Sequence, residues 1–274
     1  MNFAEGIKKI LDISLPKQKG TVRDLVNLYA KEFSENKKSI IEGKVPAWPV
    51  RLAISFICSR SGRWAALGIK AREQLEGRNL MDLLKERELN SFLDNVYTRH
   101  GRAYKESKEK ISQFLTALEG LNNELKGWPK NERVKRFEQK IEKILETQAH
   151  IGRKGRDNIL RDCGFLNYIP IDVHEQRFLL RTGIFHKYAS LTESDPTDYD
   201  HLANAMSRFS KNELNELEVN GTRLSEAPGL VDLIIWHFSQ EKTEKEISLT
   251  ICAKDPKCEK CPLKNLCLFA KLHS

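Results

Sequence analysis

The chain has 274 residues, 40% of them hydrophobic and 31% charged, with a formal net charge of +8. That is the composition of a soluble globular protein with room for one large domain or two moderate ones. No apolar run reaches the roughly 18 residues that a transmembrane helix needs, and the first twenty residues lack a charged-then-apolar leader pattern. No membrane association is therefore expected, and the cytoplasm is the expected compartment.

In chain order, apolar residues recur at i, i+3, i+4 spacing over 22–35, 49–76, 79–95, 103–126, 131–147, 153–164, 173–183, 199–218 and 228–239, which predicts helices there. Pro46 and Pro49 bracket Trp48 ahead of the second segment, and Gly127-Trp128-Pro129 separates the fourth from the fifth. In the fifth, Val134, Phe137, Ile141, Ile144 and Leu145 share one face. Asp195-Pro196-Thr197-Asp198 offers a turn and then a helix N-cap, and Ser225 to Pro228 resembles another helix start. Strand signals are nearly absent, so the fold class read from the pattern is all-α. The charges of 103–146 are interspersed, as on a solvated helix face. The polar stretch 240–250 reads as a link to the last segment.

That last segment holds four of the six cysteines, Cys252, Cys258, Cys261 and Cys267, spaced C-x5-C-x2-C-x5-C. In a large chain without a leader, such a cluster points to a metal centre rather than to disulfides. Structural zinc usually takes two C-x2-C pairs. One close pair flanked by two outlying cysteines suits a four-cysteine iron–sulfur cluster better. Such a cluster could be redox-active or could order a basic loop containing Lys257, Lys260 and Lys264. Cys58 and Cys163 stand in apolar surroundings and read as ordinary buried thiols.

Between His150 and Gly183 the chain reads HIGRKGRDNILRDCGFLNYIPIDVHEQRFLLRTG. One helix ends near His150, and the turn His150-Ile151-Gly152 leads into another beginning near Arg153. A helix start reached through such a hairpin presents backbone N–H groups that can bind a DNA phosphate without reading sequence, with Arg153 and Arg156 adding charge.

Three motifs in this order resemble the helix–hairpin–helix DNA glycosylase superfamily, in particular its endonuclease III branch. Gly152-Arg153-Lys154 is similar to the glycine–arginine–lysine that closes the family's hairpin. IDVHEQRFLLRTG, with Asp172, His174, Arg177, Arg181 and Gly183, is similar to the segment that follows it. CEKCPLKNLC is similar to the family's cluster loop. The likeness spans roughly 45–267. It implies two helical subdomains with the active site in the cleft between them: 45–170, ending in the hairpin motif at about 145–160, and 1–44 with 171–250. A [4Fe-4S] loop over 251–274 would follow.

The resemblance also implies a catalytic pair, Lys154 as nucleophile and Asp172 as the carboxylate. Excision passes through an oxocarbenium-like sugar, whose charge a carboxylate beside C1′ stabilises. An amine attacks C1′ only in its neutral form, which positive neighbours such as Arg153 and Arg156 favour. The resulting Schiff base permits β-elimination, so the expected enzyme is a bifunctional DNA glycosylase and AP lyase. Asp172 could also cap the helix that begins near Val173. The implied partner is double-stranded DNA carrying a damaged base or an abasic site, met by a monomer that is nucleoid-associated in a prokaryote.

The chain departs from the family pattern in three places. His150 replaces the first hairpin glycine at a position that favours positive φ. The first cysteine gap is one residue short. FICSRSGRW stands where a gap-filling glutamine is usual, which puts Arg60 forward as the residue that enters the duplex. The region 99–110 and the helices after it resemble the archaeal 8-oxoguanine glycosylases. Alkylated or deaminated bases are alternative substrates, and a non-catalytic DNA-binding protein with a structural cluster is the alternative of another class.

Overall fold

The computed structural model describes residues 2–16, 19–59, 65–241 and 249–273. In chain order the helices are α1 (Phe3–Leu11), α2 (Val22–Ile41), α3 (Ala47–Ser59), α4 (Ala65–Leu75), α5 (Glu86–Val96), α6 (Arg102–Gly127) and α7 (Arg133–Thr147). They continue as α8 (Arg153–Asp162), α9 (Val173–Thr182), α10 (Ile184–Tyr188), α11 (Tyr199–Glu213), α12 (Pro228–Ser239) and α13 (Leu268–His273). The fold is mostly helical, as the periodicity predicts. Among the described residues the only paired strands are β1 (Glu218–Val219) and β2 (Thr222–Arg223), which form one antiparallel hairpin. Asn220 and Gly221 turn it, both at positive φ, as a two-residue hairpin turn requires.

The helices differ from the sequence expectation where punctuation was weak. α2 runs on past residue 35 because Ile40 is fully buried and continues the apolar stripe. One predicted segment over 49–76 is two helices, α3 and α4. α1 was not expected. A capping box starts it: Glu5 N–H donates to the Asn2 side chain at 2.9 Å, and Asn2 N–H to Glu5 at 3.2 Å.

Packing divides the chain into two units, Phe33–Phe165 and Met1–Glu32 with Leu166–Ser274. The expected boundaries were 45 and 170, and the cysteine segment, expected as a separate loop, packs within the second unit. The first boundary falls inside α2, where an unbroken helix gives the sequence no mark of it.

The central unit is built on α3, α6, α7 and α8, with Ile54, Ile111, Phe114, Leu118, Phe137, Leu145 and Leu160 in its core. Beside that core α8 is pinned by a buried pair: Arg161 Nη2 donates to Asp162 Oδ1 at 2.9 Å, with both side chains under a tenth exposed. Trp48 Nε1 donates to Asp162 Oδ2 at 3.2 Å, Asn36 donates to the Asp162 carbonyl at 2.8 Å, and the Arg161 guanidinium lies over Phe33. Burial raises the Asp162 pKa, and Arg161 and Trp48 oppose that shift. Removing one member strands the other charge, so Arg161→Ala should cost about 3–5 kcal/mol in denaturant unfolding. A loss below about 1 kcal/mol would show the pair to be dispensable.

In the other unit α12 is the central helix, buried on nearly every side from Pro228 to Phe238. α1, α9 and α11 pack around it. α9 turns Glu175, Phe178, Leu179 and Thr182 inward, a stripe at i, i+3, i+4, i+7. Among the described residues, no helix is long and apolar enough to cross a membrane.

Candidate functional site

The connection between α7 and α8 forms one wall of a pocket inside the central unit. Ala149 N–H donates to the Ile144 carbonyl at 3.1 Å and Ile151 N–H to the Leu145 carbonyl at 3.0 Å, closing α7. Between them His150 takes φ 49°, the left-handed conformation that its position favours. Gly152 is the N-cap of α8 and supplies no side-chain cap, and the first turn holds no acidic residue. Ile151 is buried, while His150, Gly152, Arg153 and Lys154 are exposed.

The pocket has a volume of about 330 Å³ and is lined by segment 149–155, by Phe56, Ile57 and Ser59 of α3, and by Lys110 of α6. That volume lies at the lower end of small-molecule sites, roughly 300–1,000 Å³. Gly155 is needed at its back: a Cβ there would stand 2.6 Å from Ile151 Cγ2 and 3.8 Å from Phe56. The pocket therefore joins an aromatic wall to three basic side chains, Lys110, Arg153 and Lys154. Arg156, expected to add charge for DNA, instead pairs with Glu146 at 3.1 Å and is mostly buried. Arg60 lies outside the described residues.

Asp172 belongs to the other unit and is the N-cap of α9. Its Oδ1 accepts from His174 N–H at 2.6 Å, and Glu175 Oε2 accepts from Asp172 N–H at 2.8 Å, a complete capping box. Asparagine caps about as well as aspartate, while alanine loses about 1 kcal/mol. Asp172→Asn should therefore melt with the parent protein and Asp172→Ala measurably below it; equal melting of the two variants would discount the cap. Nothing in the sequence marks what lies behind Asp172. Glu175 is fully buried and Asp232 of α12 nearly so, and the two act on each other electrostatically. The D-x-x-E of a capping box was visible in the sequence.

The four clustered cysteines are free thiols, Cys252 and Cys267 buried and Cys258 and Cys261 partly exposed. Ile251 and Cys252 donate to the Phe238 carbonyl, which ties the loop to the end of α12. Arg181 of α9 donates to the carbonyls of Ala253 and of Lys254, the latter at 2.9 Å, and Cys267 Sγ donates to the Arg181 carbonyl at 3.1 Å. Leu263, fully buried, sits so close to α1 that a Cβ on Gly6 would come within 2.1 Å of it.

Burial pushes the Cys261 thiol up to about 12, with repulsion from Cys252, Cys267 and Cys258 adding to the rise. Burial also raises Cys252, partly offset by Arg181. Among the described residues, no three His, Cys, Asp or Glu side chains converge as ligands of a single ion do. A four-iron cluster spaces its cysteine sulfurs by its own atoms. Four thiols on one short loop that a guanidinium clamps fit such a group by donor chemistry. Lys254, Lys257, Lys260 and Lys264 are exposed on the same loop.

No family model, curated protein or solved structure matches the chain.

Proposed function

We propose that the protein is a DNA base-excision glycosylase with associated AP lyase activity, of the helix–hairpin–helix type, carrying a [4Fe-4S] cluster on Cys252, Cys258, Cys261 and Cys267. One observation carries the reading. Lys154 stands in the first turn of α8 on the wall of a pocket that also holds Phe56, and the α7–α8 connection leading to it takes its left-handed turn at His150.

A flipped base is held by stacking and edge hydrogen bonds in such a pocket. The hairpin His150-Ile151-Gly152 with Arg153 supplies amides and charge for a phosphate. The Lys154 amine forms a bond to C1′ as the base leaves with its electron pair, and Asp172 stabilises the positive charge that develops on the sugar. The amine gives up its proton as the C1′–O4′ bond opens to form the Schiff base, which loses a C2′ proton while β-elimination breaks the 3′ C–O bond and the 3′ phosphate leaves. Cys252, Cys258, Cys261 and Cys267 would hold the cluster, which would supply a fixed centre for a loop whose exposed Lys254, Lys257, Lys260 and Lys264 add positive charge for the DNA backbone.

The test is borohydride trapping on abasic-site DNA, followed by a panel of single-lesion duplexes. A covalent adduct and release of one class of damaged base support the reading. No adduct and no release over the whole panel refute it.

A further inference from the structure

The capping box of α9 accounts for one oxygen of the buried Glu175 carboxyl and leaves the other unexplained. Glu175 is fully buried, and one of its oxygens, Oε1, has no hydrogen-bond partner. Its other oxygen accepts the Asp172 N–H at 2.8 Å. The carboxyls of Asp172 and of Asp232 on α12 are its acidic neighbours and act on it electrostatically. No single-ion metal site forms there among the described residues.

A carboxylate in this place would be desolvated and would face other carboxyls, so the neutral acid is the stable form. Burial, then Asp232, then Asp172 raise the Glu175 pKa well above the usual carboxylate range. A neutral acid can donate to the aspartate, whereas an anion would repel it.

We propose that Glu175 is a positioning residue for Asp172: a buried carboxylic acid that fixes the aspartate's backbone and hydrogen-bonds its carboxylate, so that Asp172 carries the charge at the head of α9. The proposal rests on the reading of Asp172 as the carboxylate of excision. It gives a corner that looks merely structural a part in the chemistry. The sign of its pH dependence follows. The folded chain prefers the protonated acid, so the stability this group contributes is full below the unfolded carboxyl range and is lost as pH rises through the raised value.

The experiment is a carboxyl ¹³C NMR titration of wild type, Glu175→Gln and Glu175→Leu, with unfolding followed against pH. A Glu175 resonance that is protonated at neutral pH is expected. So are an Asp172 titration that glutamine, donating as the neutral acid does, leaves in place and that Glu175→Leu displaces, and a glutamine variant that gains stability over wild type as pH rises. With excision as the readout, kcat should keep its value to higher pH in Glu175→Gln, with KM unchanged. An ionised Glu175 at neutral pH, or an Asp172 titration that ignores the leucine substitution, overturns the proposal. If the variant does not fold, the wild-type Glu175 resonance still decides its charge. If the titrations behave as expected but wild type neither traps abasic DNA nor releases a base, the excision reading has failed and the positioning of Asp172 has not.

Discussion

Lys154→Ala is expected to leave no trapped adduct on abasic-site DNA and to lower strand cleavage by a factor on the order of 10³ or more, the scale on which removal of a nucleophile acts. The side chain is exposed at the first turn of α8, so the variant should melt with the parent protein. Lys154→Arg separates chemistry from charge. It keeps a cation on the pocket wall beside Lys110 and Arg153, so DNA binding should hold, yet a guanidinium forms no Schiff base and trapping should vanish. Were Lys154 only a phosphate contact, arginine would restore everything. Alanine would then cost only affinity, with the slope of log affinity against log salt smaller by about 1. Trapping that survives in Lys154→Ala would move the nucleophile elsewhere.

How far the sequence reached depended on how local each signal was. The stripes of α7 and α12, the proline and glycine breaks and the start of α9 at Asp172 are local, and the structure has them at or near the expected residues. The hairpin at Asn220-Gly221 was local too, but its strands are only two residues long, too short to alternate visibly. The division inside α2 was hidden because the helix stays regular while its partners change.

Burial of Glu175 could not be read either. In a helix stripe of Phe178 and Leu179, a glutamate at the head reads as a solvent-facing cap, and only the packing of α12 makes it an interior acid. The pairing of Arg156 with Glu146 was within reach, since the two flank a turn whose sequence was known. What the sequence lacked was the closure that brings them together.

Loss of the proposed cluster should be a large stability effect, and a local one. Cys252→Ser removes the proposed ligand that is tied to the end of α12, in the loop that Arg181 clamps. A group bound only to the folded chain stabilises it by about 4 kcal/mol when present at 1,000 times its dissociation constant. For a chain of this size that corresponds to a fall in Tm of roughly 10 °C. Without a cluster the loop retains the Arg181 bonds and the seating of Leu263 against α1, but its thiols, mutually repelling once ionised, have no cation to hold them. Hydrogen exchange should therefore rise over 251–273 and at the end of α12, while the core of Ile111, Phe114 and Phe137 stays protected. Iron and sulfide should be present in wild-type protein and absent from the variant. Wild-type protein that carries zinc, or no metal with a Cys252→Ser melt equal to its own, would refute the cluster. A serine variant that loses iron but still traps abasic DNA at the parent rate would assign the cluster to the ordering of the loop alone.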